Sequence, residues 1–233
     1  MTVTFAKPAS ERAAGLAGQR ALVLGSGYGV GPAVVAALRE AGTNLILDDA
    51  LGGDPVAMIG EAAERLGGLD ILVLSAPPVR NKPVLDMTPE DMRSVAESEL
   101  VIPALQMQAA ARLMSEAGYG RIVAFMSMSG KAGVHHHVAP YAAAKGGMLT
   151  FMRVLAAETA EHGVTVNAIA TALFEPQTVT MPIEKQERLR TQIPVGRFGK
   201  SEEAAHAVLY LASPLGGFVT GECLNLSGGR FMD

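Results

Sequence analysis

From Arg20 to Leu226 the chain alternates short, continuously apolar runs with stretches of helical periodicity, and this alternation limits the folds open to it. Arg20–Leu24, Asn44–Leu47, Asp70–Leu74, Arg121–Phe125, Val164–Ile169 and Glu222–Leu226 read as buried strands. Between them the spacing predicts helices over Gly31–Glu40, Pro55–Leu66, Thr88–Ala117, Pro140–His162 and Ser201–Ser213, with a short amphipathic one over 181–192. Asp54-Pro55 and Thr88-Pro-Glu-Asp91 supply helix starts, and Gly42 a stop. Strands apolar on both faces and separated by helices build a parallel sheet covered on both sides. Right-handed crossovers then give an α/β, doubly wound fold. The 233 residues, 49% hydrophobic and 18% charged, suit a single domain spanning 1–233.

Other totals narrow the function. A net charge of −4 without a basic block argues against a nucleic-acid partner. The single Cys223 rules out an internal disulfide and Cys-rich zinc patterns, and its apolar surroundings suit core packing. The first twelve residues lack the apolar stretch of a signal peptide, and no apolar run is long enough to cross a bilayer. The expected location is therefore cytoplasmic, and the expected partner a small molecule.

Two groups of residues carry chemistry. Gly25-Ser26-Gly27-Tyr28-Gly29-Val30-Gly31 joins the first strand to the first helix, where glycines let the backbone approach a phosphate at a helix N-terminus. Asp48 ends the second strand, where an acid accepts hydrogen bonds from ribose hydroxyls and repels a 2′-phosphate; it could instead cap a turn toward Gly52-Gly53. The loop offers no Arg or Lys, so NAD is expected over NADP. Tyr141 and Lys145, one helical turn apart, share a helix face, where the cation lowers the phenol's pKa and readies it for proton transfer. Ser127 and Ser129 follow the strand before that helix and can hydrogen-bond a substrate oxygen or cap the loop.

In this order the motifs resemble the short-chain dehydrogenase/reductase family, which has a Rossmann-type sheet, and the likeness runs from about Leu16 to Met232. The resemblance implies a nicotinamide-dependent enzyme acting on a ketone or secondary alcohol. Tyr141 would be the acid/base, Lys145 its modulator and the ribose contact, and Ser127 the group orienting the substrate oxygen. Ser75 and Ala76 fall where the family carries its N-N-A-G stretch. Glu99 stands at the family's Asn in the long helix, where it would relay a proton, pair with Lys145 or turn to solvent. The family's Pro-Gly after a late strand reads Thr171-Ala172. The interval between Asp48 and Asp70 holds one helix where the family fits helix, strand and helix, so six strands are expected, with one edge strand and one helix missing and a more open adenine pocket.

Residues 171–198 are expected to form a substrate lid, whose Phe174 faces an apolar substrate. His135, His136 and His137 precede the tyrosine; no metal is expected there, because consecutive side chains diverge, and His135 is the candidate substrate contact. A homodimer or homotetramer is expected from the family. A non-redox lyase or dehalogenase on the same scaffold, and a weakly nucleotide-binding protein without catalysis, are the rival readings.

Overall fold

In the computed structural model, which describes residues 15–48, 53–75, 81–132 and 135–232, six parallel strands form one sheet. They are β1 (Arg20–Leu24), β2 (Asn44–Asp48), β3 (Ile71–Leu74), β4 (Gly120–Ser127), β5 (Val164–Thr171) and β6 (Cys223–Leu226), in the spatial order β2-β1-β3-β4-β5-β6. The helices are α1 (Gly31–Glu40), α2 (Pro55–Leu66), α3 (Pro89–Ala96), α4 (Ile102–Ala117), α5 (Met128–Ala132), α6 (Ala139–Thr159), α7 (Glu175–Thr178), α8 (Ile183–Arg190) and α9 (Ser201–Ala212). Among the described residues only α2 lies between β2 and β3, and β2 forms the sheet's edge, as the short Asp48–Asp70 interval predicts. Among the described residues no helix is long and apolar enough to cross a membrane.

Two apolar layers hold the sheet. On one face α2, α4 and α6 contribute Ile59, Met107, Met114, Met148 and Met152 against Leu22, Leu72 and Ile122. On the other, α1 and α9 bring Val34, Leu38, Val208 and Leu211 onto Val23, Val73 and Ile169. Leu72 sits on the third strand inward from the β2 edge with no exposed surface. Leu72→Ala should therefore cost about 2–5 kcal/mol of unfolding free energy, readable as a lower denaturation midpoint with unchanged slope.

The ends of the elements follow local chemistry. Asp54 caps α2, its carboxylate accepting from the Val56 and Ala57 amides at 2.8 and 3.3 Å. The Thr88 hydroxyl accepts from the Asp91 amide at 3.2 Å while the Asp91 carboxylate accepts from the Thr88 amide at 2.8 Å, completing the capping box of α3. Asp70, expected as the first residue of β3, instead precedes it and takes two hydrogen bonds from the Arg20 guanidinium, at 2.8 and 2.7 Å.

The long helix expected over Thr88–Ala117 is interrupted. Residues Glu97–Val101 form a π-helical turn between α3 and α4, closed by the Ile102 amide donating to the Glu97 carbonyl. Pro103 explains it. An uninterrupted α-helix would need the residue 103 amide to bond the Glu99 carbonyl, and proline has no N–H and crowds that carbonyl. The extra residue widens the turn and leaves Glu99 buried. The last strand of the centre also differs: β4 runs on through Ser127, so this serine is the strand's final residue rather than part of the following loop.

Candidate active site

The carboxyl ends of the strands gather the predicted residues. β1 lies between β2 and β3, and the helix that leaves β1, α1, packs on one face of the sheet while α4, which follows β3, packs on the other; this is the switch point where doubly wound folds open a crevice. The glycine loop leaves β1 there. The Gly25 amide donates to the Asp48 carbonyl at 3.2 Å, which ties the loop to the end of β2. A Cβ on Gly25 would lie 3.2 Å from the Ser75 Cβ, so loop and β3 end are in contact. Gly31 is the tightest position: a Cβ would stand 2.7 Å from both the Gly25 and Ser26 carbonyl oxygens. No side chain caps α1 and its first turn carries no acid, an arrangement that suits an anion. Ser26 is buried, Tyr28 half-buried and Gly29 exposed, while the Val30 side chain belongs to the apolar layer beneath, leaving only its backbone for a ligand. Ala76 lies outside the described residues.

Across the crevice, α6 starts just beyond β4 and carries Tyr141 and Lys145, both buried. The Ser127 hydroxyl faces the Tyr141 phenol and favours its ionised form. Ser127 Oγ also accepts from the Ser129 amide at 3.1 Å, which fixes its rotamer. Ser129 points elsewhere: its hydroxyl meets His135 Nδ1 at 2.7 Å. Burial, and then the Arg230 charge, hold the His135 pKa below its ordinary value, so this ring is neutral at pH 7. His136 and His137 are exposed, and no three potential metal ligands cluster among the described residues. A cleft of about 560 Å³ runs along the first turn of α6, lined by Val84, Leu85, Asp86, His135, His136 and Ala142 among others. Tyr141, Ser127 and Lys145 do not line it, so it adjoins the reacting groups without containing them.

Lys145 Nζ lies 5.6 Å from the Tyr141 ring centroid and 3.0 Å from Glu99 Oε2. Of the alternatives open for Glu99, the structure shows the buried ion pair. The expectation that Lys145 lowers the phenol pKa is not met here. Burial first, and the Glu99 charge second, push Tyr141 up to about 12, against the opposing hydrogen bond with Ser127. Phe174 also departs from expectation. It is 2% exposed and packs in the α1/α9 layer, edge-on to Gly199, so it is core and not a substrate contact. Its place in a long connection hid this, because apolar residues of a lid and of a core look alike in sequence. The exposed large apolar residues of the 171–198 segment are Val179, Ile183 and Val195.

Sequence reasoning passed over Gly130. A Cβ there would meet the Lys145 Cβ at 2.7 Å and its carbonyl carbon at 2.9 Å, so α5 presses directly on the backbone that carries the lysine. Arg230, whose charge reaches His135, was also invisible, being 95 positions away with no motif around it.

A family model described as enoyl-(acyl carrier protein) reductase matches residues 53–230. The 3-oxoacyl-(acyl-carrier-protein) reductase FabG of Aquifex aeolicus is 33% identical over 93% of this chain and 98% of its own length. The chain belongs to the short-chain dehydrogenase/reductase family. Among solved structures, this short-chain dehydrogenase/reductase resembles a gluconate 5-dehydrogenase from Burkholderia cenocepacia in complex with NADP and tartrate, at TM-score 0.84 and 28% identity, covering 92% of this chain and 95% of that one. It resembles a dehalogenation enzyme at TM-score 0.85 and 26% identity, covering 93% and 99%. The relatives named are reductases and dehydrogenases beside one dehalogenation enzyme, and the six-stranded parallel sheet flanked by helices matches the solved structures.

Proposed function

We propose that this short-chain dehydrogenase/reductase transfers hydride between a nicotinamide dinucleotide, with NAD preferred, and a ketone or secondary alcohol on a largely apolar small molecule. One observation carries the reading: Ser127 faces the Tyr141 phenol and favours its ionised form, with Lys145 one turn along the same helix, at the sheet edge that also bears the glycine loop. The loop suits a dinucleotide. Among the described residues nothing lies within 4 Å of where a Cβ on Gly29 would stand, and Gly31 leaves no room for a side chain between the loop and α1. Gly25–Gly31 would hold the pyrophosphate, Asp48 the adenosine ribose, Ser75 the nearby backbone edge, and Lys145 the nicotinamide ribose. When bound, the nicotinamide supplies or accepts the hydride. Ser127 orients the substrate oxygen, and Tyr141 gives it a proton in reduction or takes one in oxidation. The neutral His135, held by Ser129, offers its other ring nitrogen toward the substrate side.

The preference for NAD rests on Asp48 and on the absence of Arg and Lys from residues 25–31. The Burkholderia relative, crystallised with NADP, weighs the other way. Fluorescence titration with both reduced nucleotides decides. NADH should bind more tightly than NADPH, and Asp48→Ser should shrink the ratio by about tenfold or more, the loss of one charge repulsion against a phosphate. With the edge strand missing beyond β2, NADH affinity should be weaker than low micromolar. Tighter NADPH binding by the parent would reverse the preference.

A second reading, non-redox chemistry on the same scaffold, draws support from the dehalogenation enzyme's likeness and from Glu99 replacing the family Asn. The test is NADH consumption with a panel of ketones. Turnover supports hydride transfer. Nucleotide binding without turnover on any ketone would favour the non-redox reading.

A further inference from the structure

Glu99 is an acid placed where it has no surface role. It is 5% exposed, its Oε2 lies 3.0 Å from Lys145 Nζ, and that oxygen has no hydrogen-bond partner among the described residues. The π-turn that Pro103 imposes puts it there, between α3, α4 and α6. A buried carboxylate is costly unless it is paired, so ion pair and turn define one arrangement rather than a chance contact.

We propose that Glu99 is a positioning residue which holds Lys145 in a buried ion pair, keeps the Tyr141 phenol protonated, and so sets the resting enzyme to reduce carbonyl groups at neutral pH. This rests on the reading of the site as a hydride-transfer centre. In the direction it favours, hydride from the reduced nicotinamide forms the new C–H bond. The carbonyl π electrons form the new O–H bond with the Tyr141 proton, and the tyrosine is left as phenolate until solvent returns a proton. Oxidation needs the phenolate at the start, and the Glu99 charge disfavours that species.

The electrostatics are local. Lys145 alone, within 6 Å of the ring, would favour phenolate; a carboxylate 3.0 Å from the ammonium cancels most of that effect. The raised pKa of Tyr141, in which the Glu99 charge opposes ionisation, agrees with the geometry. The other charges that the packed elements carry among the described residues are exposed or bonded elsewhere. On α3, Glu90 pairs with Arg93 at 3.6 Å and Asp91 with Lys82 at 2.5 Å, both at the surface. The first ionisable side chain of α4 is Arg112, nearly three turns on, and the next on α6 after Lys145 is Arg153. β4 contributes the uncharged Ser127 at this end and, at its other end, Arg121, which donates to the Ser213 carbonyl at 3.2 Å; Lys131 of α5 donates to Asn225 Oδ1 at 2.8 Å, and Glu97 on the π-turn is exposed.

The test is an ultraviolet titration of phenolate in the free protein, with the Tyr141→Phe curve subtracted so that only Tyr141 is read. The parent should show no Tyr141 phenolate below about pH 11, whereas Glu99→Gln should lower the midpoint by about one pH unit, burial keeping the rest of the rise. Glu99→Asp, which keeps the charge, should stay with the parent. The double variant Glu99→Gln/Lys145→Met, lacking both charges, should titrate above the single. An unshifted midpoint in folded Glu99→Gln, or an equal shift in Glu99→Asp, overturns the proposal. Where Gln does not fold, Glu99→Asn leaves room for a water at Lys145 and the same outcomes decide. Since no nucleotide is present, failure here leaves hydride transfer standing. A shifted midpoint in an enzyme that never consumes NADH removes the redox reading instead.

Discussion

Tyr141→Phe should lower turnover by about 10²–10⁴-fold while nucleotide affinity changes little. The substitution deletes one hydroxyl and keeps the ring, which is 7% exposed and packed at the head of α6, so the fold has no reason to change. What disappears is the phenol hydroxyl that Ser127 faces, and with it the proton that must reach the substrate oxygen as hydride reaches carbon. Ser127 remains to orient that oxygen but is far too weak an acid to replace the phenol. Steady-state assay beside fluorescence titration reads the two quantities separately. A variant that turns over like its parent would show that the acid/base lies elsewhere. The related loss in Ser127→Ala should be smaller, since the tyrosine then keeps its proton but loses its alignment.

Gly31→Ala should abolish nucleotide uptake over any practical concentration range, a loss of about a hundredfold or more. One methyl group is enough because of what it would touch. The Cβ would stand 2.7 Å from two backbone carbonyl oxygens, Gly25 and Ser26, and 2.9 Å from the Ser26 carbonyl carbon. Backbone cannot swing aside as a flexible side chain does, so the loop must lift away from α1. That removes the close approach on which phosphate recognition depends. Overpacking of this kind typically costs about 1–3 kcal/mol of stability, so thermal unfolding should show a modest drop alongside the binding loss. Undiminished NADH binding by Gly31→Ala would mean that the nucleotide does not use this loop.

These two residues lay in motifs that sequence alone makes visible. The glycine loop stands between a strand and a helix, and Tyr141 and Lys145 occupy one face of the next-to-central helix; local periodicity suffices to place both. The missing edge strand was legible for the same reason, since chain length between Asp48 and Asp70 bounds what fits. Helix ends at Asp54 and Thr88 followed from side chains bonding to amides two and three residues on.

Other features depended on contacts between distant residues. Phe174 reads as lid lining in sequence, yet α1 and α9 enclose it. Nothing near Gly130 announces that it bears on Lys145, and nothing near Arg230 announces His135. The protonation of Tyr141 is the sharpest case. Spacing puts a cation beside the phenol and argues for a lowered pKa, but spacing says nothing of how deeply the ring is buried or which acid faces the cation.

Sequence by itself determined the strand order's building blocks, the six-stranded count, the glycine loop and the pairing of Tyr141 with Lys145, because each arises from neighbours along the chain or from the length between them. Tertiary structure alone decided that Phe174 is core and that Glu99 turns inward onto Lys145. The reason is physical: hydrogen bonding and helical periodicity act over a few residues, whereas desolvation and charge act through space, and only packing brings residues 99 and 145 to 3.0 Å.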